Sequence, residues 1–296
     1  MVDEWLRRVE SLWDELLERP HEETALRISA LLLLLYPPDG DHFQLVPLVL
    51  GIPMVLDGRA ARSKWLWLVM TLNCLASTWA FRYSQDNHKY LLLYWTTACC
   101  LSVWAGRALQ TLAHNGRLLL ALVFTFAGSW KILGGQVLNG DFFEWAFLTD
   151  SRFFALTGLV SGIDRSALAL NRSLRDLLDT FPSDGLTVAL NTQPGVETAA
   201  LAMGWAMTVI ELSLALAFWV ALARRRSDLQ DWILIVFCAG TYTLTPVVGF
   251  GTTLAVMGFA QAPPERRDLR DLYLWVLILV QFAKMPILNI IQGLIA

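Results

Sequence analysis

FTFAGSWKILGGQVLNG, Phe124 to Gly140, carries a lysine, Lys131, in the C-terminal part of an apolar run. An ammonium does not sit bare in hydrocarbon. Either its long stem carries the charge out to water, or a cavity between helices shelters it. Gly134, Gly135 and Gln136 soften the run just after the lysine, and the glycines allow close backbone approach. A lysine desolvated in such a place is of the kind that serves as a chemical base. The choice between anchor and base depends on what surrounds this stretch.

Of the 296 residues, 55% are hydrophobic and 17% charged, and the mean hydropathy is +0.48. That is less charge than globular domains of this size carry, and together with several long apolar runs it reads as a polytopic membrane protein. The aromatic content suits interfacial anchoring. A net charge of −3, with no basic stripe, argues against a nucleic-acid partner. The partners expected are membrane lipids and a lipophilic small molecule. Cys74, Cys99, Cys100 and Cys238 all lie inside apolar runs without metal or redox spacing, and His21, His42 and His114 are scattered near boundaries, so no metal is expected.

Along the chain, residues 1–22 form one segment. Trp5, Val9, Leu12, Trp13, Leu16 and Leu17 share a face at helical spacing, which predicts an amphipathic helix lying on the membrane or docked on the protein. Residues 23–296 read as an all-α transmembrane domain. Two short apolar runs, 23–36 and 43–56, are separated by Pro37-Pro38 and Gly40. Further spans are expected at 64–80, 90–105, 118–138 and 196–223. The run 232–260 is interrupted by Pro246 and glycines, and a last span at 272–294 is broken near Pro286. A more polar juxtamembrane region occupies about 139–196. The sum is a helical bundle of about seven or eight crossings, placed in a bacterial or archaeal cytoplasmic membrane. The basic cluster at 224–226 is expected on the cytoplasmic face.

Other polar groups interrupt the apolar pattern. Glu211 lies mid-span in WAMTVIELSLALAFW, out of easy reach of either surface, and must be neutral, paired or in a wet cavity. It is either a structural carboxylate bonded to a neighbouring helix or a functional one. The stretch from Arg82 to His88 precedes another span; there His88 is a donor-acceptor at the boundary and Asp86 or Asn87 a helix cap. Lys284 stands in LVQFAKMPIL, and Arg27 in the first apolar run.

Two stretches carry a resemblance. QDNHKYLLLYW (85–95) resembles the NNHxYL-type segment of the vitamin K-dependent gamma-carboxylase family, whose members share the horizontally transferred transmembrane domain. TFAGSWKILGGQVLNG (125–140) resembles that family's segment with Ala-Gly and a lysine three residues beyond. Arg27 and the glycine-rich VVGFGTTLAVMGFA fit the same pattern. The resemblance implies a membrane enzyme acting with a reduced, vitamin K-like quinone. Lys131 would deprotonate the hydroquinone, His88 would assist, and Glu211 would pair with a cation or relay a proton. Asn87, Arg27, Trp130 and Arg82 would surround the cofactor. Departures accompany it. Trp130 stands where the family has a first lysine, and FCAGTYTLTP lacks the family's late histidine. The alternatives are a transporter or lipid-handling protein, recognisable by a tunnel or repeats, and a non-catalytic structural subunit, recognisable by its buried charges pairing within the fold.

Overall fold

The computed structural model describes residues 2–180, 187–224, 228–244 and 247–282. Its described residues fold as fourteen helices. They are α1 (Val2–Glu18), α2 (His21–Leu35), α3 (Asp41–Leu56), α4 (Gly58–Ala61), α5 (Lys64–Ala80), α6 (Asn87–Ala105), α7 (Ala108–Gly134), α8 (Asp141–Thr149), α9 (Phe154–Ser161), α10 (Arg165–Thr180), α11 (Pro194–Arg224), α12 (Leu229–Leu244), α13 (Val248–Gln261) and α14 (Arg267–Phe282). Lys284, Pro286, Pro246 and the basic residues Arg225 and Arg226 lie outside the described residues.

The expected seven or eight crossings are corrected by helix length. Gly40 and the Pro37-Pro38 pair part the first apolar stretch into α2, of 15 residues, and α3, of 16. The run 232–260 likewise divides into α12 and α13, of 16 and 14 residues. At 1.5 Å per residue these reach only about 21–24 Å, short of a hydrocarbon core about 30 Å thick. Among the described residues two helices are long and apolar enough to cross a membrane: α7 with 27 residues and α11 with 31. The multi-pass bundle, and the integral placement in a cytoplasmic membrane built on it, are therefore not carried by this chain; what it has instead is a tightly packed helical assembly. The apolar windows of α7 and α11 are only 28% and 33% buried, and their outer faces expose Phe126, Leu133, Trp205, Val209 and Leu216.

The centre of the assembly is α13. Val248 and every residue from Gly251 to Gln261 are buried. A helix apolar all round belongs in the interior. Around it stand α14, α7, α2, α12 and α6. Trp67, Trp95, Phe124, Phe218, Phe259 and Tyr273 fill the core with almost no exposed surface. Buried indoles and hydroxyls find partners. Trp95 Nε1 donates to Ser29 Oγ at 3.0 Å, and Trp67 Nε1 to the Ala61 carbonyl at 2.7 Å. The N-terminal helix α1 docks on α14. Trp13 packs on Trp275 with ring centroids 5.1 Å apart and donates to Asp271, while Arg267 pairs with Asp14.

The segment from α8 to α10 has its own small core of Phe143, Phe147, Phe153, Ile163 and Leu168 against Val196 and Ala200 of α11. Buried Asn171 fastens the chain ahead of α11, donating to the Asn191 carbonyl and accepting from its amide, both at 2.8 Å. The turn after α7 lies directly on α11. A Cβ added at Gly204 would stand 2.0 Å from the Val137 carbonyl oxygen. Because that obstacle is backbone, Gly204→Ala must push the turn away from the helix. A loss of about 1–3 kcal/mol in denaturant unfolding is the expected result, and an unchanged midpoint would show that the turn yields freely.

Candidate functional site

Helices α7 and α11 form the longest side-by-side contact in the structure, and small residues set their spacing. A Cβ on Gly128 would meet Leu212 Cδ2 at 2.6 Å, so the glycine lets the two helices close together. One turn further along α7, Lys131 Nζ donates to Glu211 Oε2 at 2.5 Å. The pair is sheltered, its side chains 17% and 8% exposed. A second link, Trp219 Nε1 to Thr125 Oγ1 at 3.0 Å, ties the same helices nearer the other end. Two residues that are 80 positions apart thus neutralise one another. A charge-assisted bond of this length joins the helices and leaves neither charge unanswered.

The other residues singled out in the sequence lie elsewhere. His88 is half-buried at the start of α6, with Nδ1 3.8 Å from Asp86 Oδ2, and it borders Gly249 together with Tyr36. Partial burial moves its pKa below the ordinary histidine value, with Lys89 adding to the effect and Asp86 opposing it. Asn87 is exposed. Trp130 is 77% exposed, turned away from the ion pair beside it. Arg82 lies outside over the Trp79 and Tyr83 rings, at 4.9 and 4.5 Å. Arg27 pairs with Glu23 at 3.3 Å and donates to the Leu56 carbonyl.

The lysine-base reading fails on this geometry. Lys131 is committed to Glu211, and neither it nor His88 lines the cavity between α8, α11 and α12 or the crevice beside Arg62 and Arg107. The gamma-carboxylase-like lyase expectation is corrected accordingly. Among the described residues no three His, Cys, Asp or Glu side chains are grouped to hold a metal ion.

Two features escaped the sequence reading. The first is a groove of about 560 Å³ between α11, α12 and α8. Met203, Met207 and Ile210 form one wall, Trp232, Val236 and Phe237 the other, and Phe143 closes one side. Thr241 and the backbone of Gly240 complete it. Val236 and Trp232 are 68% and 44% exposed, so the groove is open to the outside along α12. Met207 is one helical turn from Glu211 along α11, so the ion pair holds the helix that forms this wall.

The second is a buried polar knot. Asp231 is fully buried, and its Oδ1 accepts from Tyr273 Oη at 2.7 Å and from Gln261 Nε2. Its Oδ2 accepts from Gln230 Nε2 at 3.1 Å. Arg117 of α7 donates to both the Gln261 side chain and the Gln261 carbonyl, at 3.1 and 3.2 Å, and so caps the C-terminus of α13. Burial pushes the Asp231 carboxyl up to about 6, against the pull of the Tyr273 and Gln261 bonds and the Arg117 charge. The available sequence signal was slight: single polar residues at the ends of apolar runs, where a helix boundary is the ordinary explanation.

No family model, curated protein or solved structure matches this chain.

Proposed function

We propose that this protein is a lipid-handling protein, whose groove between α8, α11 and α12 takes the hydrocarbon chain of a lipophilic molecule. The groove carries this reading. Its volume falls in the range that holds small organic ligands, and its walls are apolar except at Thr241. Two of its wall residues are methionines, whose flexible thioethers adapt to chains of different shape. Exposed apolar surface on α11 and α12 adjoins the opening, so a chain can slide in sideways from a lipid surface without crossing water. The Lys131–Glu211 pair serves as a clamp that holds α7 on α11 and keeps that wall in place.

Gly240 offers a clean test. It lines the groove, and a Cβ added there meets nothing within 4 Å. Gly240→Phe therefore fills the groove without pressing on the fold. With a polyene fatty acid whose fluorescence rises in apolar surroundings, the wild-type protein is expected to bind saturably. Gly240→Phe should bind at least about tenfold more weakly, equivalent to about 1.4 kcal/mol, with an unchanged Tm. Equal binding by both proteins, or none by the wild type, would remove the groove from consideration.

A further inference from the structure

We propose that the outward face of α3 and α5 rests on the surface of a membrane containing anionic phospholipid. The helices that form this face are not those of the groove, and the proposal does not depend on it.

The starting observation is that α5 is built inside out. It packs on α6 and α3, and its polar side chains turn toward these neighbours. Asn73 Nδ2 donates to the Phe43 carbonyl at 2.9 Å, Ser77 Oγ to the Asp39 carbonyl at 2.8 Å, and Thr71 Oγ1 reaches the Thr96 carbonyl at 3.3 Å. The opposite stripe is Trp65, Val69, Leu72 and Trp79, which recur at helical spacing and are all exposed. Trp65 and Trp79 are 67% and 70% exposed, so the bulkiest members of the stripe face outward. On α3, beside it, Leu45, Leu48, Ile52 and Leu56 repeat the pattern. A helix that faces water carries its polar residues on that side. Single exposed apolar residues are ordinary, but two adjoining stripes of them mark a contact surface.

The ends of the face identify what covers it. At the start of α5 the Lys64 ammonium stands 5.5 Å over the exposed Trp104 ring of α6, and Trp65 packs edge-on against the same indole with centroids 5.6 Å apart. At the far end the Arg82 guanidinium lies over the Trp79 and Tyr83 rings. Rings paired with cations are the groups that seat at headgroup level, the ring at the acyl boundary and the charge among the phosphates. Trp65 and Trp79 are about 21 Å apart along the helix at 1.5 Å per residue. That is too little to reach both headgroup layers across a hydrocarbon core about 30 Å thick. Both ends therefore meet the same leaflet, and α5 lies along the surface with its stripe at the acyl boundary.

Charge selects the lipid. Arg62 is paired with Glu23, but its neighbours Arg59 and Lys64, and Arg107 just after α6, form no ion pair among the described residues. At the far end Asp39 pairs with Lys89, and Asp86 lies beside His88. Helices α5 and α6 contain no Asp or Glu, and Asp41 is the one acid of α3. A second copy laid on this face would bring hydrocarbon and the same cations. An anionic phospholipid brings hydrocarbon and the opposite charge.

Flotation with vesicles of phosphatidylcholine alone, and of phosphatidylcholine mixed with phosphatidylserine, tests the face. The wild type is expected to bind the anionic vesicles at least about tenfold more tightly, as two or three cations near such a surface supply. That preference should vanish in about 1 M salt, where the Debye length falls to about 3 Å. Lys64→Gln with Arg107→Gln should remove the preference and leave the weaker binding to both kinds of vesicle. Trp65→Gln with Leu72→Gln should weaken binding to both at least about tenfold, whereas Leu159→Gln, an exposed apolar residue of α9, should bind as the wild type does. All these side chains are exposed, so Tm should not change. A wild type that floats with neither vesicle, or whose preference survives high salt, would overturn the proposal, and this arm needs no variant. So would a wild-type dimer in sedimentation velocity that Trp65→Gln with Leu72→Gln turns into a monomer, because a second copy would then cover the face.

Discussion

Replacing Lys131 with methionine is expected to lower the free energy of unfolding by about 3–5 kcal/mol, because it strands the Glu211 carboxylate in a sheltered position. The Glu211→Leu change should cost a similar amount by stranding the ammonium. The double variant, Lys131→Met with Glu211→Leu, removes both charges and fills their space with hydrocarbon. It should return to within about 1 kcal/mol of the wild type, since a buried pair repays little more than its own desolvation. Denaturant unfolding of the four proteins closes the cycle. The coupling is the diagnostic quantity. A cost below about 1 kcal/mol for Lys131→Met would mean that the pair acts like a solvent-exposed one, and the clamp assigned to α7 and α11 would fail.

The second large effect is one of pH. Asp231 has its folded pKa raised from 3.8 to about 6 by burial. Its linked stability is therefore fully present below pH about 4 and is lost as pH rises through about 6. At 1.36 kcal/mol per unit, the loss is on the order of 3 kcal/mol. His21 acts in the opposite sense. Burial and Arg270 lower its pKa from 6.5 to about 4, so its linked stability is present above 6.5 and is lost as pH falls toward 4. The two nearly cancel between pH 4 and 6.5, and the wild type should owe them little net slope there. Asp231→Asn removes one of the two. The variant's stability relative to wild type should change by about 3 kcal/mol between pH 4 and pH 8, in favour of the variant at the higher pH. Unfolding midpoints measured across that range decide it. Parallel curves would mean that the carboxyl is not held neutral by its burial.

The helical character of the chain was readable from its periodicity, and so were several boundaries. Pro37-Pro38 and Gly40 divide α2 from α3 where the sequence places the break. What could not be read was the use of each apolar run. A stretch that is greasy all round suits a lipid bath and a protein interior equally, and α13 is the instance: its residues read as part of an interrupted membrane run, yet they are the core. Lys131 and Glu211 stand out in the sequence because each is expensive in apolar surroundings, but one strand of text does not show that two costs 80 residues apart cancel. The NNHxYL-like and Ala-Gly-lysine segments drew His88 and Lys131 into one expected site, whereas the partners they have in the fold are different ones, Asp86 for His88 and Glu211 for Lys131. Arg270 and Asp231 raised no alarm because charge near a helix end is ordinary. Only the packing of α1 and α12 against α14, and of α13 and α14 against the start of α12, makes them interior.

The position of α13 in the chain also bears on how the protein is made. The central post is encoded late, from Val248 onward, so a ribosome has released most of the surrounding helices before the element they gather around exists. Those helices must wait with their inner faces uncovered, and such intermediates are the ones chaperones attend. A chain interrupted before Val248 would have its outer staves but nothing to close upon.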